Sequence, residues 1–120
     1  MWIYNQQTGD IQRNNDKILA RGYSGAPEYK NSKAAQILRN KGPIPRGLYQ
    51  IGEPIEVANL GIFVLRLTPA KGNEMFSRSQ FLIHGDSITN PGSASTGCII
   101  LPLDIRKMIA ESGDPWLVVI

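Results

Sequence analysis

Gln80-Phe81-Leu82-Ile83-His84-Gly85 and Ser95-Thr96-Gly97-Cys98-Ile99-Ile100-Leu101 are the two stretches whose reading decides the fold. Each is a short apolar, β-prone run joined to a glycine, the pattern of a buried strand that ends in a sharp turn. The chain's only histidine closes the first run, and its only cysteine opens the second. Between them, Asn90 to Gly97 is rich in small and turn-forming residues, so a loop delivers Cys98 to the start of a strand.

Upstream of this pair, Gly61 to Thr68 carries Ile-Phe-Val-Leu and reads with Gln80 to His84 as the centre of a sheet. Gly42-Pro43-Ile44-Pro45-Arg46-Gly47 is a rigid extended turn, because each proline fixes its own φ and disfavours helix at the residue before it. It feeds a strand from Leu48 to Ile51. At the N-terminus, Trp2 to Asn5, the turn Thr8-Gly9-Asp10 and Ile11 to Arg13 predict a hairpin, with Lys17 to Ala20 as a third strand of a meander. Ser24-Gly25-Ala26-Pro27 breaks regular structure. A short helix is expected after Ser32, whose hydroxyl would cap it, running through Ala34, Ala35, Ile37 and Leu38 to Gly42.

Downstream, Pro102 suits the first turn of a helix whose apolar face would hold Leu101, Ile105, Met108 and Ile109, with Gly113 ending it. Trp116 to Ile120 reads as a closing strand. The expected fold is therefore mainly β, a sandwich or a sheet over residues 1–120 as one domain. One helix lies in its C-terminal half and one short helix precedes the middle strands.

With 120 residues, 42% of them hydrophobic, the chain can bury one sizeable core. The net charge of +3 arises from 13 Lys and Arg against 10 Asp and Glu scattered mostly singly, which does not favour nucleic-acid binding. One Cys and one His cannot build a Cys/His zinc site, so neither a metal nor a cofactor is expected, and no disulfide can form within the chain. No stretch reaches the roughly 20 apolar residues of a membrane span. The start Met-Trp-Ile-Tyr-Asn-Gln-Gln lacks the basic and apolar regions of a signal peptide, so another route would have to export the chain from the cytoplasm.

Alone, a lone cysteine is usually a small buried hydrophobe and a lone histidine a structural residue. The neighbours of Cys98 alter that balance. Ser95-Thr96-Gly97-Cys98 can turn sharply enough to aim several N–H groups at one point, as an oxyanion hole requires. His84, anchored by Phe81-Leu82-Ile83 and followed by Gly85, is placed to serve as base for a thiol. Asp86 at that turn reads either as a contact for a substrate ammonium or as a solvated charge; Arg46, Arg66 and Arg78 read as solvated charges, with contact to a substrate carboxylate as the alternative; Tyr23 and Trp2 read as fold contacts.

His84-Gly85-Asp86, a loop, and then Ser95-Thr96-Gly97-Cys98-Ile99 resemble the signature of the L,D-transpeptidase (YkuD-type) catalytic domain. Pro43-Ile44-Pro45-Arg46-Gly47-Leu48-Tyr49 is similar to that family's Pro-x-Gly-x-Tyr/Phe strand. Trp2-Ile3-Tyr4, Thr8-Gly9 and Gly22-Tyr23-Ser24-Gly25 resemble the compact L,D-transpeptidase effectors delivered by type VI secretion. Thr96 stands where housekeeping members carry His, and Ile100 where they often carry Arg or Asn.

The resemblance implies an antibacterial effector that acts on tetrapeptide stems of peptidoglycan by L,D-carboxypeptidase and D-amino acid exchange chemistry. Cys98 would form the thioester, His84 would be the base, and the Gly85 carbonyl would orient it. Gly97, Cys98 and Thr96 would supply oxyanion donors, with Ser95 bracing the loop. It also implies a secretion-system delivery component, a cognate immunity protein, no stable membrane insertion, and action in the periplasm of a target bacterium. The alternatives are a non-catalytic cell-wall peptide-binding module with an inert Cys98, and a cysteine peptidase for ordinary L,L peptides.

Overall fold

Nine strands in the order β3-β2-β1-β9-β5-β6-β7-β8-β4 make one sheet in the computed structural model, which describes residues 1–120. In chain order they are β1 (Trp2–Tyr4), β2 (Asp10–Arg13), β3 (Ala20–Arg21), β4 (Tyr23–Ser24), β5 (Gly47–Val57), β6 (Gly61–Pro69), β7 (Phe81–His84), β8 (Ile99–Ile100) and β9 (Trp116–Val119). The edge strands β3 and β4 are neighbours in sequence, separated by Gly22 alone. A sheet whose two edges are joined by one residue has to roll up on itself, and closure of this kind removes the exposed edges of an open sheet. Of the two expected forms, sandwich and sheet, the chain adopts the sheet.

Gly22 sits at the seam, where its N–H donates to the Gly9 carbonyl at 2.7 Å. A Cβ there would lie 2.0 Å from the Ile100 carbonyl oxygen, so no other residue fits between the two backbones. The expected meander is present as β1, β2 and β3, although the third strand starts at Ala20. Ser24, read from sequence as the start of a break, instead joins Tyr23 in a short strand antiparallel to β8. Its buried Ser24 hydroxyl donates to the Gly97 carbonyl and accepts from the Ile44 N–H, so a polar residue is satisfied inside the wall.

β5 runs to Val57, well past the predicted end at Ile51. Its pairing with β6 shifts register between Ile51 and Pro54 and again before Val57, which is how Gly52 and Pro54 are accommodated in a strand. The core joins Trp2, Tyr4, Ile11, Ile44, Tyr49, Leu65, Ile83, Ile99, Leu101, Ile105, Ile109 and Leu117, drawn from nearly every strand and from the helix. The segment 33–37 is a 3-10 turn, not an α-helix, and the Ser32 hydroxyl makes no capping bond to it.

The single α-helix, α1, spans Leu103–Glu111 and ends before Gly113, which takes φ +72°. Its buried face differs from the predicted one. Ile105 and Ile109 are buried as expected, but Met108 is 44% exposed and Arg106 is buried with them. Arg106 turns inward because its Nη1 donates to the Ile62 and Phe63 carbonyls at the irregular start of β6, where Phe63 takes φ +57°. No helix is long and apolar enough to cross a membrane.

Candidate active site

β7 and β8 run parallel with Ile83 opposite Ile99 and His84 opposite Ile100. Ile83 and Ile99 point into the core, which anchors both strands. His84 ends β7 and Cys98 immediately precedes β8. The Cys98 thiol lies against the main-chain N–H of Leu82, two residues back along β7 from His84. No hydrogen bond joins the thiol to the imidazole.

His84 is 2% exposed, and its Nδ1 lies 2.8 Å from the carbonyl oxygen of Gly85. A carbonyl can only accept, so Nδ1 carries the proton and Nε2 presents its lone pair. Nε2 has no partner within the chain. Burial lowers the pKa of His84, opposed by the Gly85 carbonyl and by Asp86 and assisted by the positive charge of Arg106. Burial likewise raises the Cys98 pKa, partly offset by the Leu82 N–H and by Arg78. Both shifts favour uncharged forms, so the pair rests as thiol and imidazole and not as thiolate and imidazolium.

The turn that presents Cys98 is organised by Ser95, which is 1% exposed. Its hydroxyl accepts from the N–H groups of Gly25 at 2.9 Å and Gly97 at 3.1 Å, and donates to the Cys98 carbonyl at 2.6 Å. The Gly97 N–H is therefore committed to Ser95. The N–H groups of Thr96 and Cys98 have no partner in the chain, so these two, of the three expected oxyanion donors, are free to meet a ligand. Gly97 is required here for two reasons: its φ is +149°, and a Cβ would lie 2.7 Å from Nη2 of Arg78.

Arg78 is not the solvated residue that its sequence neighbourhood implies. It is 6% exposed, because its guanidinium donates to the carbonyls of Gln36, Pro43 and Gly42 at 2.6, 2.7 and 2.9 Å and packs 5.2 Å from the Phe81 ring centroid. It ties the extended 42–45 segment to the wall beside Cys98. Arg46 and Arg66 are exposed as expected. With Arg39, Ser77, Gln80 and Thr96, Arg78 lines a cavity of about 420 Å³ onto which Cys98 opens. His84 and Gly85 open onto a neighbouring cavity of about 540 Å³ with Asp86, Ile88 and Leu60. The structure thus places His84 at the end of β7 and Cys98 just before the adjacent β8, each facing its own cavity.

Asp86 is also not a merely solvated charge. Its Oδ1 accepts from the Tyr23 hydroxyl at 2.5 Å and the Ser87 N–H at 2.8 Å, and both oxygens accept from the Gly92 N–H at 3.1 Å. It therefore pins the 86–93 loop to β4. Burial pushes this carboxyl up, but these bonds and the charge of Lys30 together hold it below the usual carboxylate range. Burial and the bond to Asp86 push Tyr23 up to about 12, so it stays a neutral donor at physiological pH. Trp2 and Tyr23 are buried fold contacts, as expected from sequence. Nothing in the residue types marks Ser24, Arg78 or Arg106 as neighbours of the site; their partners are main-chain carbonyls and N–H groups distant in sequence.

No group of three or more His, Cys, Asp or Glu side chains is arranged to hold a metal ion. A comparison with curated proteins finds no match. A protein-family model, that of the Tlde1 domain, matches residues 19–112, a span that holds the His84 strand, the Cys98 turn, Ser24 and Arg78. The chain belongs to the Tlde1 domain family, an effector-domain family.

Proposed function

We propose that residues 1–120 form one L,D-acyl-transfer catalytic domain that acts on tetrapeptide stems of peptidoglycan through a thioester on Cys98. The observation that carries this reading is the held tautomer of His84. The Gly85 carbonyl fixes the proton on Nδ1 and leaves Nε2 as an acceptor on the strand beside the nucleophile. The lowered pKa keeps that acceptor unprotonated at neutral pH.

In the first half-reaction, the Cys98 proton passes to Nε2 as Sγ attacks the carbonyl of the third, L-configured stem residue. The oxyanion receives the free N–H groups of Thr96 and Cys98. Collapse of the tetrahedral intermediate breaks the peptide bond; His84 gives its proton to the departing D-alanine amine, and a thioester remains. His84 then takes a proton from the incoming nucleophile as it attacks the thioester carbonyl, and returns it to Sγ as the C–S bond breaks. Water yields a trimmed stem, a free D-amino acid yields exchange, and a neighbouring stem amine yields a cross-link. Because both groups rest uncharged, proton transfer accompanies attack and does not precede it.

Membership of an effector-domain family supports an antibacterial role with delivery by type VI secretion, action in the periplasm of a target cell, and a cognate immunity protein in the producer. The test is mass spectrometry of purified tetrapeptide muropeptides incubated with the protein and with Cys98→Ala, each with and without an added free D-amino acid. Loss or exchange of the terminal D-alanine by the parent alone is the expected result. Unchanged muropeptides with folded parent protein overturn the enzymatic reading, and equal stem binding by parent and variant would then favour a peptide-binding module.

A further inference from the structure

The cavity beside Cys98 is electrostatically one-sided. Its charged lining consists of Arg39 and Arg78, with no Asp or Glu among the residues that form it. Neither guanidinium is in a salt bridge; the chain's three ion pairs involve Met1, Arg13, Arg21 and their partners Asp114 and Asp10. Arg78 is hydrogen-bonded to three carbonyls, which hold it without cancelling its charge. Arg39 is exposed and anchored at one point, where Nη2 donates to the Ser77 carbonyl at 2.9 Å, so its other N–H groups are free. The side chains of Asn40, Ser79, Gln80 and Thr96 also line this space and have no partners in the chain. By contrast, the only charged side chain lining the neighbouring His84 cavity is Asp86.

Two cations without a counter-charge, one rigidly held and one anchored at a single point, beside a ring of free neutral donors, form a receptor for a planar anion. At about 420 Å³ the space accommodates a residue or two of peptide. We infer that this cavity is a carboxylate subsite for the stem peptide, in which Arg39 grips the carboxylate and Arg78 supplies fixed positive potential behind it. The inference rests on the stem-peptide reading above. Two carboxylates of a stem satisfy the same chemistry, that of the terminal D-alanine and that of the second residue.

The experiment titrates Cys98→Ala, and Cys98→Ala with Arg39→Gln, by calorimetry. The ligands are a free-acid tetrapeptide stem, the stem amidated at its terminal D-alanine, and the stem amidated at its second residue. Near-UV circular dichroism checks the fold, which an exposed residue with one hydrogen bond should not disturb. Arg39→Gln is expected to weaken free-acid binding about tenfold or more. One of the two amides should weaken binding equally before Arg39 is changed and add nothing afterwards, which identifies the carboxylate. Arg39→Lys should restore part of the loss.

Equal affinities with and without Arg39, parallel losses from amidation in both backgrounds, or no stem binding at all would overturn the subsite. Turnover by the parent chain is followed separately. Intact turnover with no Arg39 dependence in binding or KM refutes the subsite alone, whereas absent turnover with Arg39-dependent binding refutes only the catalytic reading.

Discussion

Replacing Ser95 with Ala removes one buried hydroxyl that joins three main-chain groups: the Gly25 and Gly97 N–H groups and the Cys98 carbonyl. Each such bond is worth about 0.5–1.5 kcal/mol net, and a buried group left unpaired costs roughly 1–3 kcal/mol. Three bonds lost together give roughly 1.5–4.5 kcal/mol, and relaxation of the exposed Thr96 turn toward water should keep the total near about 3 kcal/mol. That is a large share of the roughly 5–15 kcal/mol by which such domains are stable. Urea unfolding monitored by tryptophan fluorescence should therefore show a lower midpoint with an unchanged slope, since the surface exposed on unfolding is the same. Ser95→Thr retains the hydroxyl and should recover part of the loss, while Ser79→Ala, at an exposed residue, should stay within about 0.5 kcal/mol. A loss under about 1 kcal/mol for Ser95→Ala would refute the view that this hydroxyl organises the turn.

The pH dependence of Cys98 alkylation by iodoacetamide should rise only above the ordinary thiol range, with no acidic plateau, because burial raises its pKa and lowers that of His84; a plateau between pH 5 and 7 would establish a resting ion pair instead. Stability should also fall as the pH drops below about 6.5, where the unfolded chain protonates its one histidine and the folded chain resists, down to the lowered pKa of His84. His84→Gln should abolish that step in the urea midpoint, and its persistence would remove His84 as the cause. Gly97→Ala should cost about 1–3 kcal/mol from its positive φ alone and displace Arg78, read as lost muropeptide turnover even where the protein stays folded. Asp86→Asn should speed amide exchange in residues 86–93 with little change in the core, since it weakens the bonds that pin this loop to Tyr23.

Where recognition depended on local pattern, the sequence was readable. The Phe81 to His84 and Ile99 to Ile100 strands, the N-terminal hairpin, the C-terminal helix and β9 all announce themselves through apolar runs bounded by Gly or turn residues. Where an outcome depended on partners far away in sequence, it was not. Met108 lies on the apolar side of the helix by spacing, yet Arg106 takes the buried place because carbonyls at the start of β6 are within its reach. Tyr23–Ser24 became a strand through β8, although Ser24 opens a stretch whose residues signal a break. β5 ran through Gly52 and Pro54 because β6 tolerates two register shifts opposite them.

The sequence by itself determined a mainly β fold and marked one thiol, one imidazole and a small-residue turn as the parts of a candidate site. These follow from residue type and near-neighbour spacing, which the chain carries wherever it folds. Only the tertiary structure decided which N–H groups of the Cys98 turn are free, because Ser95 claims that of Gly97. It also decided that Asp86 holds a loop and that Arg78 is a buried strut, as each has partners from β4 or from the 36–43 segment. The resting charge state of the Cys98 and His84 pair belongs to the same class. It is set by burial, a property of the rolled sheet as a whole and of no single stretch of residues.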